Sequence, residues 1–577
     1  MNSKVYVGLL RAFVMLVASI AIVAACALIV YADTVPEGTP PADMTADPLL
    51  PPEPVILTSA EIAGCTISAD GQSAEMYIAC NCEMINTDGN IYLFQLENWQ
   101  EDLTGRTDYL AVFPAQAYLQ YTVPLFRGTA ADRTNSSFAA AVFDGTKYRV
   151  ISNRCYPSGP EILAYDRTPV TYTGKKGLTL ELGEISEGIS LGIKSAQLSL
   201  PLNILAGYDL PYQYNGEVYY FNSAIVAAYD RAVRQLTDAG VVTTMVLVNN
   251  WSDQVPDMFR PGTAKNNSVA YYAFNIDTPA GQKRIAATAA FLAERYSGLS
   301  GYGKISNWVI GNEVNDQYWN YAGDMELQPY VNLYSRAFRV FYNEIRSRSS
   351  GAGVFFSMTY YWNDGSWANG LNKYKGKDFL DCFNETVKKE GPMDWGLAYH
   401  PYPYPMNEPM FWDDGVQGLT MDLSTPILNY YNLMVLVDYM KTPQMLNQAG
   451  QVRRIALTEQ GFSSTTPSGQ KLREQAAAFA YSYYMAVSIP EIECYNLHRQ
   501  VDAPQEVAAG LSYGLKYNDG QQNELIVSYH AKPIYYVFKD IDSGWKKSLQ
   551  VSEQCKKTLG ISRWSDLIPG FEWKELE

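Results

Sequence analysis

The stretch ISNWVIGNEVND (305–316) runs through alternating and then continuous apolar residues and stops on Gly311-Asn312-Glu313. A carboxylate that closes a buried strand is costly unless it is paired, hydrogen-bonded or set in a cleft. The same pattern returns in RRIALTEQGF (453–462), where Glu459 closes another apolar run 146 residues further on (459 − 313). Two such carboxylates are what a glycosidic bond requires for its cleavage, one to protonate the leaving oxygen and one to meet the opposite face of the sugar.

Outward from these two segments the chain repeats one rhythm. Apolar runs at 177–182, 195–203, 241–250, 305–313, 353–362, 394–402, 453–461 and 492–498 alternate with amphipathic patterns such as NSAIVAAYDRAVRQLTDAG (222–240) and KLREQAAAFAYSYYMAVS (471–488). A ninth run, AYYAFN (270–275), reads as an excursion from the loop after Asn250. Buried parallel strands alternating with helices suit a closed (β/α)8 TIM barrel or an open doubly wound sheet. The strand count favours the barrel, and no GxGxxG or GxxxxGK follows any strand to supply an open sheet's nucleotide site. In a barrel the reactive residues collect where strands end, and there stand Asn203, Asn250, Trp251, Asn312, Glu313, Trp362, His400, Tyr402, Glu459 and His498.

Ahead of the barrel the pattern is different. Residues 55–165 show short alternating runs with turn signals at Asp88-Gly89 and Asp144-Gly145, each read as a hairpin. They predict a small antiparallel β-sandwich-like domain, either a carbohydrate-binding module or a cap on the barrel. The barrel itself is expected over 176–545, with an extension at 546–577 packed on or near it. Residues 33–54, rich in Pro and acids, read as a linker.

Residues 1–32 carry Lys4 and Arg11 ahead of an apolar run, an export signal that is either cleaved, with Ala32 as the candidate site, or kept as a membrane anchor. Val23-Ala24-Ala25-Cys26 also resembles a bacterial lipobox. Each version places the rest of the chain outside the cytoplasm, secreted or at the cell surface. Pairing is expected among Cys65, Cys80, Cys82 and Cys155, with the connectivity left open. Only three histidines and no CxxC pair argue against a metal site, and no cofactor is expected. With 60 acidic against 44 basic residues the net charge of −16 disfavours nucleic acid as a partner. The 44 Tyr and 11 Trp offer flat faces suited to a carbohydrate.

Asn312-Glu313, the aromatic and His cluster YHPYPYP (399–405) and TEQG (458–461), each at a strand end and in this order, resemble a clan A glycoside hydrolase. The resemblance spans roughly residues 176–545 and extends to AKPIYYVFKDID (531–542), which is similar to the helix that closes the barrel in such families. It implies a retaining mechanism with Glu313 on strand four as acid/base and Glu459 on strand seven as nucleophile. It further implies that Tyr402 orients the nucleophile, that Asn312 binds the substrate's 2-hydroxyl, and that His400 lines a subsite. Trp251, Trp362 and Tyr495 are candidate stacking faces; Asn250 and His498 complete the expected substrate-binding set. Trp308 is expected to face outward, and Glu408, Asp413 and Asp414 to be solvated. Many families of the clan carry an Arg on strand two; SAQLSLPLN (195–203) has none, so either another residue replaces it, with Asn203 the candidate, or the chain is a divergent branch of the clan. The competing reading is a non-catalytic carbohydrate-binding surface protein on a barrel scaffold. A Ser or Cys hydrolase is disfavoured, because neither GxSxG string, GISLG (188–192) or GLSYG (510–514), stands between an apolar strand run and a helical pattern as a nucleophile elbow does.

Overall fold

A computed structural model describes residues 59–81, 88–518 and 526–577. The export segment, the Pro-rich linker and Cys82 lie outside the described residues. Eight parallel strands close into a barrel: β1 (Lys176–Thr179), β2 (Ser195–Pro201), β3 (Val242–Val248), β4 (Asn307–Ile310), β5 (Gly353–Met358), β6 (Gly396–Tyr399), β7 (Ile455–Gln460) and β8 (Ile492–Leu497). Each pairs with its neighbours in sequence, and β8 returns to β1. Every residue of β3 is buried, as expected for a strand covered on both faces. Closure needs a close approach at Gly177, where a Cβ would run into Asn496 Oδ1 and Ser195. The segment 270–275 contributes only an isolated bridge, Tyr272 to Tyr321, and stays outside the barrel.

The strands are joined by helices α1 (Ile185–Ser190), α2 (Ser223–Asp238), α3 (Pro279–Arg295), α4 (Leu327–Arg346), α5 (Gly376–Glu390), α6 (Leu433–Met440) and α7 (Leu472–Ser488), and α8 (Pro533–Asp540) follows β8. Local sequence fixes their starts. Asn222 accepts from the Ile225 N–H at the head of α2, and Thr278 accepts from the Gly281 N–H at the head of α3, with Pro279 in its first turn. The helices bury one apolar face against the barrel. Trp308 packs in this layer, and Phe356 of β5 lies with its ring 4.6 Å from Phe383 and 5.3 Å from Trp395. A further helix, α9 (Trp545–Leu559), and the tail behind it pack on α7: Trp564 meets Tyr484 edge-on at 4.7 Å and donates to Ser552 Oγ at 2.6 Å.

The N-terminal strands form two antiparallel sheets, one of Ser59–Ile67, Ser73–Asn81 and Tyr118–Pro124, the other of Ala111–Pro114, Asn90–Leu96, Ser137–Phe143 and Tyr148–Val150. Asp144-Gly145 makes the expected hairpin, with Asp144 Oδ1 accepting from the Thr146 and Lys147 N–H groups. Asp88-Gly89 does not: the strands on either side of it belong to different sheets, because Ser73–Asn81 is already paired along both edges. Cys65 and Cys155 are buried, unbridged thiols in the core of this region. The sheets dock on α4, where Asn135 Nδ2 donates to Glu344 Oε1 at 2.8 Å and Arg336 Nη1 donates to the Asn98 carbonyl at 3.0 Å. All described residues fall in one compact unit. Among them, no helix is long and apolar enough to cross a membrane.

The packed layer between barrel and helices sets the stability of this unit. Phe356→Ala removes a fully buried ring from it and is expected to cost about 3–5 kcal/mol. A lowered midpoint in chemical denaturation followed by tryptophan fluorescence checks this, and an unchanged midpoint contradicts it.

Candidate active site

Three strand ends converge on two carboxylates. After Ile310 the chain turns sharply, with Gly311 at φ 76° and Glu313 at φ 40°, both in the left-handed region. For Glu313 this is a strained conformation for a side-chain-bearing residue, and such strain persists only where the surroundings impose it. Here they do. Glu313 N–H donates to Ser357 Oγ at 2.8 Å, Val314 N–H donates to the Ser357 carbonyl at 3.0 Å, and Tyr334 Oη donates to the Ile310 carbonyl at 2.6 Å. Gly311 has no room for a side chain, since a Cβ would lie 2.9 Å from Val314 Cγ1. Glu459 needs no such turn, because it sits within the last residues of β7.

His400, directly after β6, ties the two sides together. Its Nδ1 lies 2.8 Å from Glu313 Oε1 and its Nε2 lies 3.1 Å from Thr458 Oγ1, the residue before Glu459. The direction of the first bond follows the proton: a protonated Glu313 donates to Nδ1, and an ionised one accepts from Nδ1–H. Two residues on, Tyr402 Oη donates to Glu459 Oε1 at 2.7 Å.

The environments push the carboxylates in opposite directions. Burial raises the Glu313 pKa above the ordinary glutamate value; the His400 hydrogen bond opposes this, while the charges of Glu459 and Asp316 reinforce it. Burial also opposes ionisation of Glu459, but His400, His498 and the Tyr402 hydroxyl outweigh it and hold that carboxyl below its ordinary value. One group is poised to keep a proton and the other to lack one.

The remaining expected site residues divide. Asn312 is buried in the same turn as Glu313. Asn250 and Asn203, after β3 and β2, each hold a buried side-chain oxygen without a hydrogen-bond partner among the described residues. His498, just after β8, contacts the Tyr402 ring edge-on at 6.4 Å. Trp251 is engaged elsewhere, its N–H donating to Asp253 Oδ1 at 2.9 Å and its ring packing on Phe259 at 4.6 Å. Trp362 and Tyr495 cannot stack on a substrate. Trp362 is 0% exposed and packs against Tyr439 of α6, and Tyr495 is equally buried, bonded to Ser482 of α7. Both project from the barrel into the helical layer. Nor is Asp414 solvated. It is buried, accepts from the Tyr404 N–H at 2.9 Å and Asn429 Nδ2 at 2.6 Å, and burial pushes its carboxyl up to about 7.

Sequence reasoning missed several groups. Ser357 and Thr458 fix the two carboxylate segments, Asp316 stands near Glu313, and Glu506 on the short helix Pro504–Ala508 holds His498 Nε2 at 2.8 Å. Tyr360, Tyr361 and Trp367, on the loop after β5, form a stacked aromatic group in which Tyr361 and Trp367 lie 4.0 Å apart and 6° from parallel. Thr458 opens the TEQG motif itself, but nothing in the sequence ties Glu506 to it. No cluster of His, Cys, Asp and Glu able to hold a metal ion occurs among the described residues. A large apolar groove of about 1330 Å³ lies elsewhere, between α6, α7 and residues 567–569, and neither carboxylate lines it.

Residues 168–567 match the family of unknown function DUF5722. No curated protein matches the chain in sequence. Among solved structures, similar folds include a glucosidase from Croceicoccus marinus, with 12% identity over 65% of this chain and 68% of that one and a TM-score of 0.40. A family 1 β-glucosidase from Thermotoga maritima, solved with isofagomine lactam, shows 11% identity over 63% and 85% of the two chains at a TM-score of 0.38. Likeness at this level says nothing of activity.

Because the folded-state pKa of Glu313 is raised, the stability tied to its protonation is fully present below its unfolded value and is lost as pH rises through the folded one. Glu313→Gln cannot ionise and escapes that loss. It is expected to match the wild type near pH 4 and to exceed it at pH 8 by about 1 kcal/mol for each unit of displacement. Denaturation curves across this range check the sign; a gap that does not change with pH contradicts it.

Proposed function

We propose that this chain, which belongs to the family of unknown function DUF5722, is a retaining glycoside hydrolase that cleaves β-glycosidic bonds of an oligo- or polysaccharide by double displacement. The observation that carries the reading is the pair of buried carboxylates at the ends of β4 and β7 of one barrel, bridged through His400 and Thr458, with Tyr402 donating to Glu459 and surroundings that push the two pKa values in opposite directions. A scaffold that only binds sugar gains nothing from driving the pKa values of two neighbouring carboxyls apart.

In the first step Glu459 attacks the anomeric carbon and the glycosidic C–O bond breaks, while Glu313 passes its proton to the departing oxygen. In the second, Glu313, now ionised, takes a proton from water; the water oxygen bonds to the anomeric carbon, and Glu459 leaves as a carboxylate. Tyr402 keeps Glu459 oriented, since its hydroxyl donates to one carboxylate oxygen. The other oxygen is the attacking one. His400 touches Glu313 and serves its changing protonation, donating when the carboxyl is ionised and accepting when it is not. Asn312, in the same turn as Glu313, is the proposed partner of the 2-hydroxyl. The substrate is met outside the cytoplasm, a placement supported by the apolar segment after Lys4 and Arg11.

Labelling with a panel of 2-deoxy-2-fluoroglycosides followed by peptide mass mapping should modify Glu459. Glu459→Ala should lose roughly 10⁴-fold or more of turnover, and azide should restore part of it as a product of inverted configuration. Label on another residue, or wild-type turnover in Glu459→Ala, would refute the reading. The wild-type pH profile of kcat/KM should be a bell. Its acid limb should lie below the ordinary glutamate value, set by Glu459, and its basic limb above it, set by Glu313.

A further inference from the structure

β2 brings no basic side chain towards the nucleophile: its residues are SAQLSLP. An imidazole comes near Glu459 from the end of β8, the strand paired with β7. The His498 N–H donates to the Gln460 carbonyl at 2.7 Å, so the chain leaving β8 runs alongside the residue next to Glu459. The His498 ring lies 6.4 Å from Tyr402, whose hydroxyl holds Glu459, and 5.9 Å from Tyr513; those two tyrosines are 5.4 Å apart. Three rings thus wall one side of the nucleophile, and one of them can carry charge.

The imidazole is held by a single protein hydrogen bond. Its Nε2 meets Glu506 Oε1 at 2.8 Å, and its buried Nδ1 has no partner among the described residues. Glu506 is in turn fixed by Arg499, which donates to it at 3.2 Å and also binds Glu181 beyond the end of β1. The charged and titratable groups around the imidazole are therefore Glu459 from β7, Glu506 from the short helix, Arg499 beside it, Glu181 behind Arg499, and the phenols Tyr402 and Tyr513.

We propose that His498, oriented by the Glu506–Arg499–Glu181 chain, is the positioning cation of the nucleophile, supplying from β8 the positive charge that β2 lacks. Electrostatics agree with this geometry. Burial disfavours the imidazolium, yet Glu506 and Glu459 hold it above the ordinary histidine value. Burial likewise opposes ionisation of Glu506, but His498 and Arg499 hold that carboxyl down to about 2. The arrangement keeps Glu459 ionised without neutralising it by a direct bidentate ion pair, so that the carboxylate remains free to attack.

This role rests on the proposed hydrolase reading, and the test separates the two. An aryl glycoside whose fluorosugar analogue labels Glu459 is used to record kcat/KM against pH for the wild type, His498→Gln and Glu506→Gln, with circular dichroism to verify folding. Loss of the cation should move the acid limb upward by about one pH unit in His498→Gln, with KM changed less than kcat. Glu506→Gln loosens the ring but also removes a carboxylate whose charge raises Glu459, so its acid limb should lie below that of His498→Gln. If the wild type is labelled at Glu459 but the acid limb stays in place in folded His498→Gln, His498 is not the positioning cation. If the wild type is not labelled at Glu459, the hydrolase reading itself fails.

Discussion

The imidazole of His400 is the pivot of this molecule. One nitrogen meets Glu313 beyond the end of β4 and the other meets Thr458 of β7, so a single side chain after β6 spans strands that never pair with one another. Only a closed barrel gives such a ring this reach, because closure brings the carboxyl ends of all the strands to a common rim. Around that bridge stand the strained turn at Glu313, held by Ser357 and Tyr334, and the tyrosine that holds Glu459.

The energetic logic is one of unequal surroundings. Both glutamates are removed from water, and burial alone would leave both protonated. Glu313 receives one hydrogen bond from a ring whose direction is reversible, and it faces two further carboxylates. Glu459 receives a committed hydroxyl donor and stands near two imidazoles. The same desolvation is therefore overcome on one side and not on the other. Holding a glutamate at positive φ works against stability, and the bonds from Ser357 and Tyr334 around it offset that strain.

Much of this was legible in the sequence, for physical reasons. Parallel strands covered on both faces are predominantly apolar, so all eight barrel strands stood out as apolar runs, and AYYAFN was separable as a loop excursion because no helix divides it from the strand before it. The carboxylates were visible as charges ending apolar runs. Side-chain direction at the strand mouths was less legible. Trp362 and Tyr495 sit at the right height but face the helical layer, where their bulk fills space between strands and helices. Asp414 reads as a loop acid, yet it is folded inward by Tyr404 and Asn429. Glu506 and Ser357 reach the site through tertiary packing, which no local pattern encodes.

The account stands on the division of labour between two glutamates, and the stereochemistry of the first product reports it directly. Proton NMR of a β-glycoside digest, recorded before mutarotation, should show the β-anomer of the released sugar appearing first, as two successive displacements at the anomeric carbon require. The α-anomer appearing first would mean a single displacement by water, and Glu459 would then not be a nucleophile.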